Sequence, residues 1–371
     1  MSEHTHEPSS THADDGARQP SADTTQWSTF EKSEPPKPTP LIDDGDTSTK
    51  PNDEDVLAHD MQSSLAQLDP LMLRPRTSSI VLCVVFAAAF IAIAAALYWL
   101  GVRTADGQTF EDLAIINYSS IMPSWLGFGH LQSPIIIGVA LAFGVAAFVI
   151  AALRKRWWLI GQLAVYSAVC FAAAKLLKPY LPRPLLVYVE SSSRNSAPSG
   201  HTMLAAAAGL VLLCAVPHAW RAACAVVSTL CTIAVGVSVV YDQWHRPSDV
   251  LMAMFITGGL MMLTLACTRT SGMDRPGDRV SSPSIQLIAT ALITLGLCAV
   301  AYGAYVIWQV EPGLDAAAGW AASGACAATT ALIFGCAAFV NGMVLMMRQL
   351  TAAPLTKLGL IGAPPAPPKA K

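Results

Sequence analysis

The feature that most constrains this chain is a series of eight apolar runs. An α-helix needs about 20 residues to cross the hydrocarbon core of a bilayer, and most of the runs have about that length. Hydrophobic residues make up 53% of the 371 residues and charged residues 13%, far from the composition of a soluble domain. We therefore predict an all-α polytopic membrane helix bundle with about eight transmembrane helices: Ser79–Leu100, Ile135–Leu153, Trp158–Leu177, Met203–Val216, Ala222–Tyr241, Val250–Cys267, Ile285–Trp308 and Ala321–Met347.

Charge and polarity divide the chain into four segments. Residues 1–70 carry 15 acidic and 4 basic residues with almost no apolar periodicity, so we predict a disordered acidic cytoplasmic tail. Residues 71–268 hold the first six spans and are expected to form a six-helix membrane core. Residues 269–350 add two transmembrane helices of unassigned role, and residues 351–371 form a cytoplasmic tail rich in Pro and Ala.

The cysteines carry no signal of a disulfide or of a metal site. All nine lie within the apolar runs, without a CxxC motif and without a pairing with histidine. We interpret them as small buried hydrophobic residues.

The basic residues of the loops predict the orientation in the membrane. Loops on the side of the N-terminal tail hold most of the Lys and Arg residues, among them Arg154, Lys155 and Arg156. The opposite loops hold Arg103 and otherwise only cations of the segment 175–249. Because basic loops stay in the cytoplasm, we expect a multi-pass plasma-membrane protein with both termini cytoplasmic and the segment 175–249 at the outer face.

That segment holds a concentration of polar and ionisable residues at the ends of apolar runs. Such residues are costly at the edge of hydrocarbon, so the segment is the predicted functional site. Helices three to six alternate in direction, which brings the ends that carry these residues to one side of the membrane. In chain order they are Lys175, Arg183-Pro184, Pro198-Ser199-Gly200-His201, Ser238, His245 and Asp249.

These residue types suit the binding of an anion and chemistry upon it. Arg183 offers a planar fork of donors for phosphate. Ser199 opens a predicted helix, where unpaired N–H groups attract anions, although taken alone it is better interpreted as a plain N-cap. His201 titrates near neutrality in isolation and can protonate a leaving oxygen. Asp249 can fix the tautomer of His245 that leaves its other ring nitrogen as a nucleophile.

The motifs resemble the type 2 phosphatidic acid phosphatase superfamily of integral-membrane lipid phosphatases. The family pattern runs Lys, Arg-Pro, Pro-Ser-Gly-His, Ser-Arg, His and Asp, and this chain matches it in order except at one position. The resemblance implies a six-helix phosphatase core that hydrolyses a lipid phosphate ester without a metal or another cofactor. Its implied partners are the bilayer and a membrane lipid, with no nucleic acid.

The resemblance also implies a role for each motif residue. His245 attacks phosphorus and forms a phospho-histidine, and Asp249 orients it. His201 protonates the leaving alcohol and then helps to activate water. The phosphate oxygens are held by four residues: Lys175, Arg183, Ser199 and Gly200.

One departure from the family pattern removes a cation. The family has Arg directly after the residue that corresponds to Ser238, whereas this chain has Val239. Two arginines are candidates to replace it: Arg246, beside His245, and Arg194, in the loop before Pro198. Without a replacement, loss of a charge-assisted contact weakens transition-state binding by about 1.5–3 kcal/mol.

A second departure concerns spacing. The distance from Lys175 to Arg183 is one residue longer than is usual in the family. Lys178 therefore competes with Lys175 as the functional lysine, and the alternative for Lys175 is that it snorkels to the interface, as lysines at helix ends commonly do.

Several alternatives stay open at this point. The substrate is phosphatidic acid, phosphatidylglycerol phosphate or a polyprenyl phosphate or diphosphate, because the motifs read only phosphate. A second class of function is a non-catalytic or transport protein that retains a phosphate-lipid site, which Val239 supports. The loop Val102–Ser133 is amphipathic, and we expect either an interfacial rim or an ordinary connection. The oligomeric state is open.

Overall fold

The apolar runs of the sequence become the long helices of the protein. The computed structural model describes residues 75–127, 132–191, 194–269, 272–274, 283–315 and 318–352. The predicted acidic tail over residues 1–70, and residues 353–371 of the predicted C-terminal tail, lie outside these ranges. Within them the chain forms nine α-helices and no strand, which confirms the prediction of an all-α bundle.

Eight of these nine helices correspond to the eight predicted spans. Seven of the eight are long and apolar enough to cross a membrane, so the chain is a multi-pass membrane protein. The eighth, α5, has 16 residues and is therefore about 24 Å long. The helices are α1 (Thr77–Arg103), α2 (Ala105–Ile121), α3 (Gln132–Leu153), α4 (Trp157–Tyr180), α5 (Gly200–Ala215), α6 (Arg221–Tyr241), α7 (Pro247–Ala266), α8 (Pro283–Asp315) and α9 (Gly319–Ala352).

Helix α2 is the element that the apolar pattern does not predict. The loop Val102–Ser133, expected to be an interfacial rim or an ordinary connection, contains this helix of 17 residues. The side chain of Thr104 caps its start and accepts a backbone N–H three residues later at 3.1 Å. One face of α2 buries Gln108, Glu111 and Tyr118. The helix is therefore an integral part of this end of the bundle.

Helix α7 occupies the centre of the bundle. Most of its side chains are buried, and it packs against α1, α4, α5 and α9. The ring of Phe90 in α1 contacts Phe255 of α7 edge-on, with centroids 5.4 Å apart, and lies 5.9 Å from the ring of Phe339 in α9. Helix α9 also packs against α2, α6 and α8, so the two C-terminal helices complete the core.

Buried charges tie the helices together at the end of the bundle opposite to the predicted site. The guanidinium of Arg221 donates to both carboxylate oxygens of Asp274, at 2.8 and 2.7 Å, and Arg156 lies 3.7 Å from the same carboxylate. Arg348 of α9 donates to the carbonyl of Cys214, at the end of α5, at 3.1 Å. Burial alone would raise the pKa of Asp274, but the positive charges around it, that of Arg221 foremost, hold it below its ordinary value.

Candidate active site

The predicted site residues meet at one end of the bundle, where the α4–α5 connection with Arg183 lies beside the starts of α5 and α7. Helices α5 and α7 begin there side by side, because the backbone N–H of Ser199 donates to the carbonyl of Asp249 at 3.0 Å. The rings of His201 and His245 lie edge to face, with centroids 6.5 Å apart and planes inclined at 63°. The connection between α4 and α5 brings Arg183 within electrostatic reach of Asp249. The alternating helix directions thus assemble the residues that the motifs singled out.

His245 and Asp249 form a buried polar pair at the start of α7. Nδ1 of His245 lies 3.4 Å from Oδ2 of Asp249, and the side chains are 8% and 1% exposed. The same carboxylate oxygen accepts hydrogen bonds from the backbone N–H of Arg246, at 3.1 Å, and from the hydroxyl of Ser196. Because Nδ1 faces the carboxylate, the other ring nitrogen, Nε2, is the one that can act on a ligand.

His201 has a different set of neighbours. Its Nε2 lies 2.8 Å from the hydroxyl of Ser133, at the start of α3, and its ring centroid lies 5.2 Å from that of Trp244. A serine hydroxyl can donate or accept a hydrogen bond. Ser133 is therefore compatible with both protonation states of His201, as an acid–base group requires.

Ser199 and Gly200 form the start of α5. Ser199 is fully buried, and its hydroxyl oxygen accepts from the backbone N–H of Thr202 at 3.4 Å and from the Thr202 hydroxyl at 3.0 Å. The side chain is thus an N-cap, and a contact with phosphate stays a prediction. Beyond its own turn, no atom lies within 4 Å of the place where a Cβ at Gly200 would stand. A ligand therefore has space to approach the backbone N–H groups of the helix start.

Arg183 is paired with a carboxylate that the motifs do not include. Its Nη1 lies 3.7 Å from Oε2 of Glu111, and the two side chains are 2% and 3% exposed. In the described part of the chain, none of the three guanidinium nitrogens has a hydrogen-bond partner. Buried donors without a partner are costly. Arg183 therefore keeps N–H groups that an anionic ligand can satisfy.

The position where the family pattern has Arg is filled by a core residue. Val239 is fully buried, and its carbonyl accepts the backbone N–H of His245 at 3.1 Å. Of the two candidate replacements, Arg246 is buried in the wall of the site and donates to the hydroxyl of Ser191 at 3.1 Å. Arg194 is exposed, and its carbonyl accepts from Arg246 at 3.4 Å. Arg246 is thus the better placed of the two, and its contact with phosphate stays a prediction.

Two lysines lie three residues apart near the end of α4. Lys175 is exposed, with its Nζ 5.9 Å from the ring centroid of Phe171, whereas Lys178 is half-buried. Both act electrostatically on His201, Lys178 more strongly, and Lys178 also acts on Asp249. This favours Lys178 as the lysine that faces the ligand and gives Lys175 the position of a snorkelling residue.

Replacing Lys178 should impair phosphate binding far more than replacing Lys175. A charge-assisted contact contributes about 1.5–3 kcal/mol, so we expect Lys178→Ala to lower kcat/KM for a lipid phosphate ester by about 10- to 100-fold. Lys175→Ala, the matched control on the same helix, should lower it less than about threefold. Steady-state kinetics of both variants in one detergent check this. A larger loss from Lys175→Ala would reverse the assignment.

Helix α2 positions the connection between α4 and α5, which carries Arg183. Gln108 is fully buried, and its side-chain N–H donates to the carbonyl of Pro184 at 2.6 Å. The carboxylate of Asp112 accepts from the backbone N–H groups of Glu190 and Ser191, both at 2.9 Å. Gln108 and Asp112, on successive turns of α2, therefore hold the α4–α5 connection at three residues: Pro184, Glu190 and Ser191.

Sequence reasoning missed the residues that support the motifs. Those of α2 had a detectable signal, because polar side chains recur every three to four residues on one face of a helix between apolar runs. Those from α3 and from the α4–α5 connection are single serines without a local pattern. The missed residues are Gln108, Glu111, Asp112, Ser133 and Ser196.

An apolar cavity opens beside the start of α5. Its volume is about 150 Å³, it lies between α3, α4 and α5, and Gly200 forms part of its wall. Phe171, Met203 and Leu204 are among the side chains that line it. The polar site thus borders directly on a space that suits hydrocarbon.

Comparison with known families agrees with this geometry. Residues 178–273 match the model of the PAP2 superfamily, which confirms the resemblance found in the motifs. The matched range contains Lys178 and every predicted site residue after it, and it leaves out Lys175 and the whole of α2. Comparisons with curated proteins and with solved structures found no match.

Proposed function

We propose that this membrane protein, whose residues 178–273 match the PAP2 superfamily, is a lipid phosphatase that works through a phospho-histidine at His245. The superfamily indicates a phosphatase acting on phosphate esters, and the apolar helices place it in a membrane. The lipid substrate and the covalent step are the parts that we add.

The observation that carries the proposal is the arrangement of two imidazoles with different partners. His245 faces a buried carboxylate, His201 faces a hydroxyl, and the ring centroids are 6.5 Å apart. The guanidinium of Arg183 lies at the same end of the bundle with its donors unsatisfied. A nucleophile, an acid and a cation for the oxyanion are the groups that phosphoryl transfer through a covalent intermediate requires.

In the first step, Nε2 of His245 attacks phosphorus and the bond from phosphorus to the lipid oxygen breaks. His201 gives its proton to that oxygen, so the lipid leaves as an alcohol, or as a monophosphate if the substrate is a diphosphate. The ring of His245 becomes positive as the phosphorus–nitrogen bond forms, and the carboxylate of Asp249 at Nδ1 stabilises that charge.

In the second step, water replaces the histidine on phosphorus. His201, now without its proton, takes one from the attacking water, and the phosphorus–nitrogen bond breaks. His245 returns to its starting state, inorganic phosphate leaves, and His201 is protonated again. His201 gives up a proton and regains one, and His245 forms and then loses its bond to phosphorus, so the cycle closes with water as the only other reactant.

The charge on the phosphoryl oxygens is balanced by groups that differ in kind. Arg183 supplies unsatisfied N–H donors and Lys178 a half-buried point charge. Backbone N–H groups at Gly200 and the hydroxyl of Ser199 add donors at the start of α5. Arg246, in the wall of the site, takes the place of the family's arginine, which this chain replaces with Val239.

The surroundings of the site favour a lipid over a soluble phosphate ester. The cavity between α3, α4 and α5 receives an acyl or prenyl chain while the phosphate remains at the helix ends. We place this end of the bundle at the extracytoplasmic face of the plasma membrane, with both termini in the cytoplasm, on the distribution of basic loop residues.

The test is release of inorganic phosphate from a panel of lipids by the full chain in detergent with a chelator present. The panel holds phosphatidic acid, phosphatidylglycerol phosphate, a polyprenyl phosphate and a polyprenyl diphosphate, each also presented to His245→Ala. We expect release from at least one lipid, and none from the variant. The preferred lipid then defines the substrate.

Two results would contradict the proposal. Absence of release with the chelator, but release when a divalent metal ion is supplied in its place, would show a metal-dependent reaction. Absence of release from every lipid, with a correctly folded protein, would favour a non-catalytic or transport protein that only binds a phosphate lipid.

A further inference from the structure

Glu111 is a buried carboxyl at the site that lies outside the PAP2 match. Its side chain is 3% exposed, and its Oε1 accepts the backbone N–H of Ser248 at 3.0 Å, while Oε2 lies 3.7 Å from Nη1 of Arg183. One carboxyl therefore bridges the connection that carries Arg183 and the helix start that carries Asp249.

The end of α1 packs closely against this carboxyl on one side. A Cβ at Gly101 of α1 would stand 2.7 Å from Oε1 of Glu111 and 2.7 Å from Cβ of Ser248, so α1 closes directly on the contact. An anion that binds Arg183 is therefore repelled by the ionised carboxylate of Glu111, which lies beside the guanidinium. Neutralising the carboxyl relieves the repulsion and keeps the hydrogen bond from the N–H of Ser248, which moving the side chain away would break.

A cavity gives the carboxyl a route to solvent protons. Its volume is about 380 Å³, and Glu111 forms part of its wall together with Gly101, Ser248 and Leu332. The ends of α1 and α8 border the cavity, and both helix ends lie on the same side of the membrane as the candidate site. Glu111 is thus shielded from bulk water on the side of Arg183 and approachable on the other.

The charges around Glu111 make its ionisation responsive to a ligand. Burial, and then the negative charge of Asp249, raise the pKa of Glu111 to about 7, against the opposing effect of Arg183. The charged groups that act on Glu111 are Arg183 from the α4–α5 connection and Asp249 from the start of α7, and Asp106 of α2 and Glu311 of α8 border the same cavity. Arg246 and Asp112 act on its partner Arg183.

We propose that Glu111 is a positioning residue that holds Arg183 in the empty site and takes up a proton when a phosphoryl oxyanion binds there. This rests on the proposed function, because it requires Arg183 to bind the phosphoryl group. The protonated carboxyl keeps its hydrogen bond from Ser248 through Oε1 and no longer repels the oxyanion. Oxyanion binding is therefore favoured at low pH and weakens as the pH rises through about 7.

The test compares wild type with Glu111→Gln for binding of inorganic tungstate, kept dilute enough to remain a monomeric tetrahedral dianion that does not titrate near neutrality. Gln keeps an acceptor for the N–H of Ser248 and cannot ionise. Calorimetry on the full chain in detergent should give equal Kd values at about pH 6, where Glu111 is neutral. At about pH 8.5 the Gln variant should bind tungstate about tenfold more tightly or better, because only wild type must take up a proton. All other titrating groups are common to both proteins.

The outcomes separate this inference from the function on which it rests. A ratio of the two Kd values that does not change with pH would overturn the role of Glu111 and leave the phosphatase intact. Failure of wild type to bind tungstate would remove the phosphate site and the inference together. If the Gln variant does not fold, proton uptake by wild type decides. Calorimetry of tungstate binding at pH 8.5 in buffers of different ionisation enthalpy should show uptake of about one proton per bound tungstate. Absence of proton uptake would overturn the proposal.

Discussion

His245→Gln is expected to lower kcat for lipid phosphate hydrolysis by a factor of about 10⁴ or more, while the protein stays folded. Gln is close to His in volume and can keep a hydrogen bond to Asp249, so the start of α7 should be preserved. It offers no basic ring nitrogen to attack phosphorus. Phosphate release measured over hours, together with a melting curve of the same preparation, checks both parts of the expectation.

A matched histidine at the other end of the bundle provides the control. His218 lies in a 3₁₀ turn, His218–Trp220, just before α6, far from the site along that helix. His218→Gln should leave kcat within about twofold of wild type. If His245→Gln kept more than about one hundredth of the activity, His245 would not be the nucleophile.

Asp274→Asn is expected to destabilise the protein by about 3–5 kcal/mol, because it removes the carboxylate from a buried cluster of arginines. Arg221 is fully buried and donates to both oxygens of Asp274, while Arg156 and Arg348 add positive charge around it. Such a loss corresponds to a fall in Tm of roughly 6–15 °C. Thermal unfolding in detergent measures it, and turnover at low temperature should be nearly unchanged because the site is at the opposite end.

The contribution of Asp274 has a defined pH dependence. Its folded-state pKa lies below the ordinary value of 3.8, so the stabilisation is fully present above that value and is lost as the pH falls through the folded-state pKa. The exposed Asp106 is the control: Asp106→Asn should cost no more than about 1 kcal/mol. Equal Tm values for the two variants would show that the arginine cluster does not depend on Asp274.

The membrane helices were predictable because lipid leaves the chain few choices. A spanning segment must satisfy its backbone hydrogen bonds internally, so a long apolar run in such a chain is a helix. The ends differ from the prediction where polar residues continue a helix beyond the apolar run. Helix α1 extends to Arg103, three residues past the predicted end at Leu100, whereas α5 begins at Gly200, directly after Ser199, the residue predicted to open this helix.

The central residues of the site were predictable for a related reason. Once the helices alternate in direction, residues at the ends of consecutive spans must share a membrane face, and His201 and His245 meet as that parity requires. The lysine was not predictable at this level. Lys175 and Lys178 lie about one turn apart on the same side of α4, so helical periodicity does not separate them. Packing at the end of α4 does, because it leaves Lys178 half-buried and Lys175 exposed.

The supporting residues depend on contacts that no local pattern encodes. Glu111 lies 137 residues from Ser248 in the sequence, yet it accepts that residue's backbone N–H. A carboxyl on a short amphipathic helix is usually a solvated group, and burial of this one follows from how α2 folds over the helix ends. The sequence therefore identifies the motif residues, whereas the residues that position them by hydrogen bonds and ion pairs depend on tertiary packing.

The most direct test of the account is to trap the phosphoryl group on the enzyme during turnover. The full chain, with a chelator present, is mixed with a lipid carrying a radiolabelled phosphate, quenched in alkali within the first turnovers, and digested. We expect alkali-stable, acid-labile label on the peptide that contains His245, no label on His245→Gln, and loss of the label when unlabelled substrate is added. Phosphate released over the same interval without label on His245, or with label on another residue, would contradict the covalent mechanism.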